Sequence, residues 1–200
     1  MQEKYRTVLL FGAPGSGKGT QGKILGAIPG FFHLACGDIF RMLKPESELG
    51  QLFLSYSSQG RLVPDNFTVQ LWSRHIESLV HAEQFLPLEE ILVLDGIPRN
   101  ANQVALMSEY IDVIQLVYLE TQDEEQMIRR LHRRALRENR LDDASEEVIR
   151  QRFRKYASET APVLDFYSDE LTCKVDAGQS PLGVLQDIIA SIQLSEPVVV

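Results

Sequence analysis

Nine consecutive residues, Gly12-Ala13-Pro14-Gly15-Ser16-Gly17-Lys18-Gly19-Thr20, separate the apolar run Val8-Leu9-Leu10-Phe11 from a stretch of helical pattern. Glycines at this density let main-chain N–H groups turn inward. A loop that follows a buried strand and opens a helix aims those groups, with the helix dipole behind them, at phosphate oxygens. Lys18 adds a point charge able to reach the β and γ phosphates of a nucleoside triphosphate. A glycine turn with no ligand is the competing reading, and the strand before the loop disfavours it. The position after the lysine normally carries Ser or Thr, whose hydroxyl binds Mg²⁺. Here it is Gly19, and Thr20 follows one residue later. Magnesium is therefore expected to be held mainly by phosphates and water, with Thr20 assisting. Asp95, at the end of the apolar run Ile91-Leu92-Val93-Leu94, is placed to orient those waters.

The rest of the chain alternates short apolar runs with amphipathic stretches, the rhythm of an α/β fold. Strands are expected at 8–11, 91–94 and 113–119, with weaker candidates at 31–34 and 173–175. Near-continuous apolar runs predict strands covered on both faces, hence a five-stranded parallel sheet flanked by helices. Asp65 is expected to cap a helix carrying Val69, Trp72, Ile76, Leu79 and Val80, and Asp123 another carrying Met127, Ile128 and Leu131. Further helices are predicted at 145–157 and from Pro181 onward. Two segments fall outside this rhythm and read as small inserted lobes, at 35–64 and at 133–143, within a single domain over 1–200.

Composition bounds the function. A net charge of −8 works against nucleic acid and anionic membranes unless positive charge is concentrated locally. The two cysteines, Cys36 and Cys173, form no CxxC pair, so neither a disulfide framework nor a zinc knuckle is expected. The first residues lack the pattern of a signal peptide, and no apolar run reaches the length of a membrane span. A cytoplasmic monomer acting on small molecules is expected, with no nucleic-acid or membrane partner.

Several ordered motifs add to the loop. Gly-Lys-Gly-Thr followed by Gln21, together with Asp95-Gly96-Ile97-Pro98-Arg99, resembles the adenylate kinase family. Cys36-Gly37-Asp38-Ile39-Phe40-Arg41, Gly60-Arg61-Leu62-Val63, Arg140-Leu141-Asp142-Asp143 with Arg152 and Tyr156, and Thr160-Ala161-Pro162 extend the likeness over nearly the whole chain. The resemblance implies a P-loop NTPase fold with a lobe for the nucleoside monophosphate and a short lid. It implies reversible transfer of the terminal phosphoryl group of ATP to AMP, giving two ADP, with Mg²⁺ as cofactor. ATP would lie on Gly15, Ser16, Gly17, Lys18, Gly19, Thr20 and Arg133. AMP would lie against Cys36, Arg41, Arg61, Leu62, Val63, Gly96, Arg99, Gln103, Arg140 and Arg152. Arg129, Arg140 and Arg152 would close on the transferring group, since a planar guanidinium binds phosphate bidentately. Arg130, Arg134, Arg137 and Arg154 are read as a solvated helical face. Six residues and no cysteine separate Arg133 from Arg140, so a structural zinc in the lid is not expected.

The acceptor base is read from fewer residues. By the resemblance, Gln103 falls where adenine-selective relatives carry Gln. Cys36 stands where the family has Thr, and Ile97 where it has an aromatic residue. The Cys36 thiol, beside a helix start, is expected to be accessible when the pocket is open. A kinase for UMP or CMP is the nearest alternative, and a non-catalytic nucleotide-binding protein a more distant one. Trp72 and Cys173 are read as buried core residues.

Overall fold

The computed structural model describes residues 3–138 and 145–192. The described residues form one parallel sheet of five strands: β1 (Tyr5–Gly12), β2 (Phe31–Ala35), β3 (Ile91–Asp95), β4 (Ile111–Glu120) and β5 (Thr172–Asp176), in the order β2-β3-β1-β4-β5. All four neighbouring pairs are parallel. Each expected strand is present and slightly longer than its apolar run.

The helices are α1 (Lys18–Leu25), α2 (Cys36–Arg41), α3 (Glu48–Ser57), α4 (Asp65–His81), α5 (Ala101–Met107), α6 (Glu124–Glu138), α7 (Glu146–Lys155) and α8 (Pro181–Ser191). Alternate strand residues feed two cores, as the period of two requires. Leu9, Leu92 and Leu94 pack with Trp72, Ile76 and Phe85 on one face. Val8, Leu10 and Val93 pack with Leu25, Val117 and Ile188 on the other. Trp72 is fully buried, as expected of a core residue. Cys173 is not: β5 lies at the sheet edge, and the residue is half-buried.

Caps explain several boundaries. Ser145, Ser180, Ser47 and Asn100 each accept a hydrogen bond from a main-chain N–H three residues on, starting α7, α8, α3 and α5. Asp123 does the same for Gln126 ahead of α6. Asp65 does not cap α4. Pro64 occupies that place without a side-chain bond, and the Asp65 carboxylate is engaged elsewhere. The helix expected over 145–157 ends earlier and passes into a π-helical turn (Tyr156–Thr160) and a 3₁₀ turn (Ala161–Phe166).

The segment 35–64 carries α2 and α3, with the Phe40 and Phe53 rings stacked 5.1 Å apart. Of the segment 133–143, the first residues continue α6, which runs through Glu138 because Glu124 to Glu138 holds no helix breaker. Arg140, Leu141, Asp142 and Asp143 lie outside the described residues. Among the described residues no helix is long and apolar enough to cross a membrane.

Candidate active site

A cleft of about 660 Å³ opens at the carboxyl ends of β1 and β3, where a sheet of this kind leaves a crevice. The phosphate loop forms its floor. Gly17 caps α1 with φ 102, a conformation that favours glycine. At Gly15, φ is 82 and a Cβ would lie 2.8 Å from the main-chain oxygen of Met127 on α6, so the loop and α6 can meet this closely only without a side chain. Lys18 donates its ammonium to the carbonyl oxygens of Gly12 at 2.7 Å and Ala13 at 3.1 Å. Burial lowers its pKa to about 8. The Asp95 carboxylate opposes that shift, while the cations of Arg99, Arg152 and Arg134 add to it. Asp95 Oδ2 stands 3.7 Å from where a Cβ on Gly19 would be, which sets its carboxylate beside the first turn of α1.

The other half of the cleft is built on the turn after β3. Gly96 takes φ 83, and the Ile97–Pro98 peptide is cis. Arg99 folds back so that Nε donates to the Gly96 oxygen at 2.7 Å, aiming the guanidinium along the cleft. The Gln103 amide is almost wholly enclosed. Its oxygen accepts from the Arg99 N–H at 2.7 Å, and its nitrogen donates to Asp65 at 2.7 Å. Arg41 makes a 2.6 Å ion pair with Asp38 one helical turn back, and the Arg61 guanidinium lies 4.8 Å over the Tyr56 ring. Cys36 lines the cleft, but the expected accessible thiol is corrected: the residue is 3% exposed, and burial raises its pKa to about 11. That effect exceeds any help from the six-residue helix α2, whose Asp38 sits in the same first turn.

The arginines of α6 need a correction of phase. Met127, Ile128 and Leu131 are buried against the phosphate loop and α7. That burial turns Arg130, Arg134 and Arg137, at helical spacing, toward the cleft together with Arg133. Arg129 faces away, 61% exposed and 3.8 Å from Asp123. Arg130 also donates to the Ala177 oxygen at 2.9 Å, tying α6 to the end of β5. Arg152 reaches the cleft from α7, whereas Arg154 lies outside it on Glu147 at 2.9 Å. The Thr160 hydroxyl donates to the Arg99 oxygen at 2.9 Å, linking the turn after α7 to the loop after β3.

Every site residue expected from the sequence lines this cleft except Arg129, which points away, and Arg140, which lies outside the described residues. Residues missed by the sequence reading are Arg130, Arg134 and Arg137, together with Gln179, Pro181 and Val184 on one wall. The spacing of Met127 and Leu131 carried the signal for the arginines. Asp95 presents one carboxylate beside the loop, and among the described residues no group of three or more His, Cys, Asp or Glu could hold a metal. This donor set fits a magnesium ion that arrives with a nucleotide and is held mostly by its phosphates. Cations on three sides and a carboxylate by the loop can bring two polyanions together.

Residues 10–172 match the family described as Adenylate kinase. The chain is 34% identical over 187 residues to the adenylate kinase of Flavobacterium psychrophilum, covering 90% of this chain and 93% of that one. It is 38% identical over 166 residues to that of Porphyromonas gingivalis strain W83, covering 80% and 81%. To that of a Cyanothece species it is 36% identical over 191 residues, covering 93% and 92%.

Proposed function

The chain belongs to the adenylate kinase family, and on that premise we propose a division of labour in the cleft for the transfer of the terminal phosphoryl group of ATP to AMP. A phosphate oxygen of AMP attacks the γ phosphorus in line. The bond to the β–γ bridging oxygen breaks, and both products are ADP. The attacking oxygen is already anionic, so no side chain need remove a proton.

The phosphate loop and Lys18 take the β and γ phosphates. Arg99 and Arg41 take the AMP phosphate, Arg41 exchanging Asp38 for it. Arg152, Arg133 and the inward-facing Arg130 and Arg134 neutralise charge on the group in transit. Magnesium, when bound with ATP, would supply further positive charge to the phosphates, and Asp95 and Thr20 would hold its waters. Residues 35–64 act as the acceptor lobe and 133–143 as the closing segment, whose closure excludes water. The chain acts as a cytoplasmic monomer, and its net charge of −8 works against nucleic-acid and membrane partners.

The observation that carries this reading is that the phosphate loop, Lys18, Arg41, Arg99, Arg133 and Arg152 all line one cleft. Positive charge gathered in a cleft beside a phosphate loop suits two polyanionic substrates brought end to end. A panel of acceptors with ATP and magnesium, read by coupled ADP formation, tests it. AMP should lead CMP and UMP in kcat/KM, and a lead for either pyrimidine would overturn the AMP assignment.

A further inference from the structure

Asp65 opens α4 and does not line the main cleft, yet its carboxylate collects three amides. Oδ1 accepts from Asn100 Nδ2 at 2.8 Å and from Gln103 Nε2 at 2.7 Å, and Oδ2 accepts from Asn102 Nδ2 at 2.9 Å. Burial pushes the carboxyl up, but the bonds from Asn102, Asn100 and Gln103 together hold its pKa below the usual range, so it is charged at neutral pH.

A glutamine amide has two orientations of nearly equal shape, and its partners alone decide between them. Both partners of Gln103 are unambiguous. The Arg99 main-chain N–H can only donate, and it meets Oε1 at 2.7 Å. The Asp65 carboxylate can only accept, and it meets Nε2. A flipped amide would set donor against donor and acceptor against acceptor.

We propose that Asp65 is a positioning residue for choice of the acceptor base: with the Arg99 N–H it locks the Gln103 amide in the orientation that reads adenine and rejects 6-oxopurines. The inference rests on the assignment of Gln103 to the AMP base. After its two protein contacts the amide keeps one N–H and one oxygen lone pair. Adenine offers a 6-amino donor beside the N1 acceptor, which matches that pair. Hypoxanthine offers a 6-oxo acceptor beside an N1–H donor, which reverses it. The charged Asp65 bond is the stronger of the two locks. Without it the amide can turn to suit either base.

Initial rates of the full chain with AMP and with IMP, at saturating ATP and magnesium, test the lock in Asp65→Ala and Gln103→Ala. Asp65→Ala should raise the KM for AMP roughly tenfold, keep the KM for ATP within about twofold, and lower the AMP:IMP ratio of kcat/KM roughly tenfold. Adding Asp65→Ala to Gln103→Ala should leave that ratio where Gln103→Ala put it. A loss of folded protein alone lowers both acceptors by one factor and leaves the ratio untouched. A ratio that holds in Asp65→Ala but collapses in Gln103→Ala overturns the lock. A ratio that holds in both overturns the assignment of Gln103 itself. If Asp65→Ala does not fold, Asp65→Leu is read in the same way, since it keeps the bulk of the side chain and offers the Gln103 amide no acceptor.

Discussion

The ammonium of Lys18 donates to the main-chain oxygen of Gly12 at 2.7 Å, so the loop's lysine is held by the loop's own carbonyls. Its buried cation has a pKa near 8 instead of 10.5. Phosphates arriving beside it favour the ammonium and raise that value. Binding of ATP should therefore take up a proton between about pH 8 and pH 10, and affinity should fall as pH rises through 8. Calorimetry at pH 8.5 (a setting within that window) in buffers of differing ionisation enthalpy reads the uptake. Lys18→Met should abolish the uptake and most turnover, at an unchanged fold by circular dichroism. Near-full ADP production by that variant would remove Lys18 from the phosphate site.

Arg99 is fixed by its bond to Gly96 and presents a planar fork, which a lysine cannot reproduce. Arg99→Lys should raise the KM for AMP roughly tenfold with a much smaller change for ATP. An equal loss for both substrates would place Arg99 outside the acceptor half.

The phase of α6 makes neighbouring arginines unequal. Arg130→Met should lower kcat by roughly a hundredfold, as expected for loss of a charged contact made in the transition state. Arg129→Met should stay within about twofold, because its partner Asp123 is an exposed one. Equal losses in the two variants would reject the helix phase described above.

The Cys36 thiol, with its pKa near 11 and 3% exposure, should resist iodoacetamide at pH 8 (about three units below that pKa) and react after unfolding. Peptide mass spectrometry reads the site. Cys36→Thr returns a hydroxyl to the acceptor pocket and should sharpen AMP preference over CMP about fivefold. Rapid labelling of the folded protein at pH 8 would contradict the burial.

Much of this was legible in the sequence because it rests on local chemistry. Val8 to Phe11 and Ile91 to Leu94 announce the two central strands, and the glycines around Lys18 announce the loop between β1 and α1. The misreadings share one cause, which is that tertiary burial decided them. Arg129 and Arg130 are the same residue type side by side, and packing of Met127 and Leu131 against Gly15 and α7 alone separates them. Cys36 looked like a thiol at a helix start, and enclosure by the cleft wall outweighed the helix. Asp65 had the sequence of a helix cap, but Asn100, Asn102 and Gln103, more than thirty positions on, hold its carboxylate.

The fate of the phosphoryl group tests the central claim most directly. ATP labelled in its γ phosphate is incubated with the protein, magnesium and excess AMP, and the products are separated. The label should appear in ADP, with two ADP formed for each AMP consumed and little inorganic phosphate. Label released chiefly as inorganic phosphate, or at the same rate with and without AMP, would contradict transfer between two nucleotides in this cleft.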